Sequence, residues 1–260
     1  VPPKKPRPAR TSKPKQPTAD AIARAQELVY QSLDTEDPEA SEALLYRAIE
    51  LDPECTEARL ILLERWGGRM AERVPLLEAI TTQAAARLGP TLFRAEAGHF
   101  WHIHETRPYM RASYQLAMAY ADAGNEPAAA KEYRELLRLC PDDNLGARYP
   151  LVGLYLALGL LKEAGALLDQ HEHELSGPMC WARVLEQYLV GGAEAARPML
   201  QLARGWNPRA ERFLAAREPL PWEIPDSWTH GSEEEAIMVA RDLGEAYRRH
   251  PEAVIWLRSA

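Results

Sequence analysis

A repeat of about thirty-five residues constrains this chain more than any other feature. Tyr120, Gly124 and Ala129 recur as Tyr155, Gly159 and Ala164, and Gly191 with Ala196 continues the series thirty-two positions further on. Prolines close two of the units, Pro141 and Pro208, each seventeen residues after its glycine. A more divergent unit precedes them: LLYRAIELDP (Leu44 to Pro53) ends in the same way as LRLCP (Leu137 to Pro141). A fixed period of this length marks a supersecondary unit that stacks on copies of itself.

One unit reads as a helix hairpin. Leu116, Ala117 and Tyr120 form an apolar stripe, and Ala129, Tyr133 and Leu136 form another; both follow helical spacing. Gly124 lies between them, where glycine can take the left-handed conformation that ends a helix, and Pro141 stops the second. Ala117 and Ala129 lack bulk, so the two helices can cross closely. A hairpin of this kind cannot bury both faces alone and must stack on its neighbours. Composition agrees: 34 leucines stand against 16 isoleucines and valines together, with three phenylalanines, and a sheet-rich protein would need more β-branched residues than this. The expected class is all-α, an α-solenoid of stacked hairpins.

These positions resemble the tetratricopeptide repeat (TPR). The pattern is Leu116, Ala117, Tyr120, Gly124, Ala129, Tyr133 and Pro141 in one unit, then Leu151, Tyr155, Gly159, Ala164 and Leu168, then Gly191, Ala196, Leu200, Ala203 and Pro208. The unit around Tyr120 lacks the family's leading tryptophan and has Leu136 where a small residue is usual. Pro150 falls near a helix start, either in the first turn or as a kink. GHFWHIHETRPYMRA (Gly98 to Ala112) and PDDNLGARY (Pro141 to Tyr149) add a weaker similarity to TPR proteins of the suppressor-of-tumorigenicity type. The resemblance implies a right-handed solenoid without catalytic machinery. It also implies a concave groove lined by the first helix of each hairpin: Arg111, Tyr114, Met118 and Asp122 from one, Tyr149 from the next, and Trp181, Leu185 and Tyr188 from the third. Tryptophan, tyrosine and arginine concentrate binding energy at interfaces, so this stripe suits a peptide or partner protein of a non-enzymatic scaffold. In the competing arrangement, the chain's own C-terminal loop covers the stripe with Trp222 and Trp228 as plugs.

Helices are expected at about 19–33, 40–51, 56–66, 73–88, 91–106, 109–123, 126–139, 145–158, 161–170, 179–190, 194–206 and 208–216. The array spans 19–216, and 217–260 forms a non-repeat cap. In the cap, an irregular loop at 217–230 holds Trp222 and Trp228 out of water, Ser232 to Glu235 reads as a capping box opening a helix to about 249, and a last short helix follows Pro251. Residues 1–18 are a basic, proline-rich arm. The first seventeen residues carry six basic side chains, no acid and six prolines, which favours an extended segment and leaves the remainder with 25 basic against 38 acidic groups.

Other chemistries leave weaker marks. His99 and His102, three apart, would share a helix face and could present two imidazoles to a metal, with His104 and Glu105 nearby. No HExxH motif or obvious third ligand accompanies them, so a metal-dependent enzyme is the alternative reading rather than the first. His171 and His173 sit among glutamates. The phosphate-binding GxGxxG and GxxxxGK[ST] loops and the GxSxG elbow do not occur, and no cofactor is expected. The arm could bind a nucleic acid or anionic surface through its six charges, but it has no aromatic residue to stack on bases and the body repels polyanions. Cys55, Cys140 and Cys180 are odd in number and form no CxxC pair, so they read as buried thiols in a reducing compartment. With no apolar run long enough to span a bilayer, the cytoplasm is the expected location.

Overall fold

The computed structural model describes residues 17–225 and 227–260; the arm expected at 1–18 lies almost wholly outside the described residues. All regular structure among them is helical, in twelve α-helices and three short 3-10 turns, with no strand. The chain divides into two compact units, residues 1–67 and 68–260. The cut falls at the Gly67-Gly68 pair, inside the expected array, and the C-terminal segment belongs to the second unit.

The first unit holds α1 (Ala19–Leu33), α2 (Pro38–Leu51) and α3 (Thr56–Arg65). Thr18 caps α1, its hydroxyl accepting from the Ala21 amide at 3.2 Å. Asp37 caps α2 by accepting from the Glu39 amide at 3.1 Å, with Pro38 in the first turn where its missing donor costs nothing. Ala25, Val29, Leu45, Ala48, Cys55 and Ala58 make the core. The Ser41 hydroxyl donates to the Ser32 carbonyl at 2.7 Å, tying α2 to α1.

The second unit runs α4 (Val74–Ala95), α5 (Arg107–Asp122), α6 (Glu126–Leu139), α7 (Arg148–Ala157), α8 (Leu161–Gln170), α9 (Gly177–Trp206), α10 (Ala210–Leu214), α11 (Glu233–Arg249) and α12 (Pro251–Ser259). The sequence period has a backbone counterpart. Gly89, Gly124, Gly159 and Gly192, spaced 35, 35 and 33 residues apart, all have φ between 70 and 76°. After α5, the Asn125 amide donates to the Tyr120 carbonyl at 2.8 Å and the Gly124 amide to Ala121 at 3.0 Å; after α7, Leu160 to Tyr155 and Gly159 to Leu156 repeat both bonds. This is the Schellman arrangement that left-handed glycine permits. Gly89 and Gly192, with ψ of 152° and −171°, break α4 and α9 instead. The third turn is therefore at Gly192; Gly191, the residue expected there, stays in the helix.

The largest departures follow from packing that periodicity does not report. The helix expected at 91–106 is replaced: α4 ends at Ala95, and two 3-10 turns, Phe100–His102 and His104–Thr106, lead into α5. The buried Thr106 hydroxyl bonds the Phe100 carbonyl and, at 2.8 Å, the Ile103 carbonyl, an alternative to helical pairing. The helix expected at 145–158 begins only at Arg148, because Asp143 accepts from the Ala147 amide at 2.7 Å and the Arg148 amide at 3.0 Å. Pro150 lies in the first turn of α7.

Helix α11 packs on α7, α9 and α10. Ser232 caps it, accepting from the Glu235 amide at 3.1 Å. Where α11 crosses α7, the residue of α7 at the contact is Gly153, and a Cβ there would lie 2.0 Å from the Asp242 carbonyl oxygen. That oxygen is backbone and cannot rotate away. Gly153→Ala is expected to lower the stability of this unit by about 1–3 kcal/mol, read as a drop in the urea midpoint at unchanged slope. A midpoint within error of wild type would mean that α11 does not approach α7 this closely.

Candidate functional site

α5 presents Arg111, Tyr114, Met118 and Asp122 at spacings that share a face, and α11 runs close enough along that face to leave a furrow. One part is a cavity of 630 Å³ lined by Tyr114, Met118, Tyr149, Trp228, Arg241 and Asp242 among others. The adjoining part, 560 Å³, shares Met118, Arg241 and Asp242 and adds Asp122 and Tyr133. Four of the eight expected groove residues, Tyr114, Met118, Asp122 and Tyr149, therefore line one or other of two depressions with shared walls.

The others do not. Arg111 sits over the Trp101 ring at 5.9 Å, beside Arg107 at 5.4 Å. Tyr188 stacks on Trp256, centroids 5.0 Å apart. Trp181 and Leu185 are fully buried, a correction to the expectation that they face a partner. The Trp181 indole donates to the Asn207 carbonyl at 3.0 Å, and the Tyr247 hydroxyl of α11 donates to the Trp181 carbonyl at 3.0 Å. The stripe is covered in this region, but by α11 and α12 rather than by tryptophan plugs from the loop. Trp228 is half-buried and meets Tyr149 edge-on at 6.4 Å, whereas Trp222 is 98% exposed.

Most of the charged groups at the furrow are already paired. Arg148 donates to Asp143 and to Glu174, each at 2.7 Å, and its guanidinium lies 4.4 Å from the Tyr149 ring centre. The Tyr149 hydroxyl donates to Glu174 at 2.6 Å and accepts from Arg148 at 2.9 Å. Burial pushes the Glu174 carboxyl up, but hydrogen bonds from Arg148, Tyr149 and Ser176 outweigh it and hold the group below its usual range. Arg241 binds Asp242 at 2.8 Å. Burial leaves the Asp242 carboxyl above its usual range despite that partner. Burial, with the Asp242 charge added, pushes the Tyr114 hydroxyl up to about 12. With these charges paired internally, the furrow offers aromatic faces, thioethers and hydrogen-bonding groups, with the Asp122 carboxylate at one part of it. Asp122 has a further structural task, accepting from the Ala71 amide at 2.9 Å.

Arg241, Asp242 and Met238 were not legible as site residues, since the sequence assigns 232–249 only to a cap. Gly153 was the available signal: a lone glycine inside RYPLVGLYLA marks a close backbone approach. The histidine cluster loses its α-helical frame. His99 precedes the first 3-10 turn, the His99 and His102 rings stand 6.4 Å apart, and His102 faces Asp142 at 3.4 Å. Among the described residues, no group of three or more His, Cys, Asp or Glu side chains is placed to hold a metal ion. No helix among them is long and apolar enough to cross a membrane. No protein-family model matches the chain, and no curated protein does.

Proposed function

We propose that the chain is a non-enzymatic helical-repeat scaffold of tetratricopeptide type, whose stacked hairpins bind an extended segment of a partner protein in the furrow between α5 and α11. The observation that carries this reading is the furrow itself, two depressions with shared walls that present Tyr114, Met118, Tyr149 and Trp228, with most of their ions paired among themselves. Stacking is supported by the recurrence of left-handed glycines at 35, 35 and 33 residues and by the packing of α6 on α7 and of α8 on α9. In this reading α11 is a permanent occupant of part of the concave face, so a partner meets only what it leaves open. A cytoplasmic setting belongs to the same proposal and is supported by three buried thiols that form no disulfide.

Met118→Glu and Trp228→Ala test it. Both should keep wild-type helicity by circular dichroism and weaken a co-purified partner about tenfold or more, since anchors in such a depression dominate affinity. A partner held equally well by both variants would place the binding surface elsewhere. Variants of Trp181 do not serve this purpose, because that indole is core.

A further inference from the structure

An indole in water is costly, and Trp222 is 98% exposed on the strap that joins α10 to α11. The strap reads REPLPWEIP (Arg217 to Pro225), and its three prolines restrict the backbone to extended conformations. Trp222 is therefore presented at small entropic cost. Two residues before it, Pro219 and Leu220 form one wall of an apolar pocket of 490 Å³ whose other walls include Phe213, Leu214, Val254 and Ile255. Ile255 on α12 is 65% exposed at this site. Arg248, Arg258 and Glu218 bring charge to the lining; Arg248 is paired with Glu245 at 2.6 Å and Glu218 with Arg212 at 3.1 Å, so the rim cation that no carboxylate among the described residues is shown to neutralise is Arg258. Arg258 is held in place by donating to the Ala215 carbonyl at 2.7 Å and the Ala216 carbonyl at 3.2 Å. The residue after the exposed indole, Glu223, is an exposed acid. Knob and hole thus have matching chemistry: an aromatic ring with an adjacent carboxylate, and an apolar hollow with the Arg258 guanidinium at its rim, a cation that favours both.

They are also neighbours on one surface. An isologous contact requires that residue i of one copy meet residue j of the other and the reverse, and adjacent knob and hole satisfy this with a single two-fold axis. We infer that Trp222 of one copy enters the pocket beside α12 of a second copy and receives that copy's Trp222 in return, with Glu223 meeting Arg258 at the rim. Two indoles, each of about 150–250 Å², fall well short of the roughly 1,200 Å² of a stable standard-size interface. The dimer is therefore reversible and concentration-dependent.

The experiment is sedimentation velocity on the whole chain over a concentration series, with Trp222→Ala and Ile255→Glu. Both residues are exposed, so each variant should retain the wild-type circular dichroism spectrum and melting temperature. Wild type should shift from monomer to dimer as concentration rises, and each variant alone should stay monomeric. An equimolar mixture of the two should regain a heterodimer, because the variant with the altered pocket still carries Trp222 and the other still carries an intact pocket. Wild type monomeric throughout would overturn the inference, as would a dimer that survives either substitution. Loss in both variants without recovery in the mixture would overturn the reciprocal insertion.

Discussion

Trp181→Ala is expected to cost about 3–5 kcal/mol, enough to remove much of the stability of a domain of ordinary size. The side chain is fully buried and is the largest such group among the described residues. Its removal leaves a cavity among residues of α9 and α11 and strips the Asn207 carbonyl of the donor it has at 3.0 Å. Tyr247, also fully buried, bonds the backbone of the same residue at 3.0 Å, so it helps hold α11 at this place. The measurement is urea unfolding followed by circular dichroism. A loss below about 1 kcal/mol, the size of an ordinary point substitution, would show that the indole is not enclosed. Trp222→Ala is the internal control, since a fully exposed side chain should change the dilute monomer by no more than about 0.5 kcal/mol.

Glu235→Ala should be comparably severe, at about 3–5 kcal/mol. The Glu235 carboxylate is buried, and it accepts from the Gly177 amide at 3.0 Å, the Gly231 amide at 2.8 Å and the Asn207 side-chain amide at 2.8 Å. Deleting it strands three donors, at about 1–3 kcal/mol for each group left buried without a partner. It also removes a negative charge from the first turn of α9, where the helix dipole favours one. The fit is tight on both sides, for a Cβ at Gly177 would come within 2.9 Å of the Glu235 carboxyl carbon. For a domain of this size the melting temperature should fall by roughly 10 °C. Glu235→Gln, which keeps one acceptor oxygen, should lose about half as much. If alanine and glutamine were equally mild, the three hydrogen bonds would not be holding α9, Asn207 and the strap together.

These two residues show how unevenly the fold was written into the sequence. The hairpins were legible because glycine at the turn and alanine at the crossing are local requirements, and Gly124 and Gly159 meet them within a few residues. The capping box was legible for its first half, Ser232 accepting from the Glu235 amide. Its second half was not: the Glu235 side chain accepts from the Gly231 amide beside the cap rather than from Ser232 itself, and also from partners 28 and 58 residues back in the chain, and periodicity carries no information about such distances. Trp181 failed for the same reason. A stripe of Trp181, Leu185 and Tyr188 looks identical whether a partner or the chain's own last long helix lies over it. Tyr114, Met118 and Tyr149 were placed at the furrow because their side of α5 and α7 is only partly covered; the opposite wall, from Arg241 to Asp242, belongs to a segment whose docking direction no local pattern specifies.

The position of α11 sets translation order against folding order. The segment that shields Trp181 and closes over Gly153 is synthesised after the helices it covers, and its anchoring bonds reach back 66 residues to Trp181 and 92 to Ala157. While the ribosome is still adding residues beyond α10, the middle helices stand with their central indole unprotected. A nascent chain stalled there displays an oily seam of the kind that chaperones recognise.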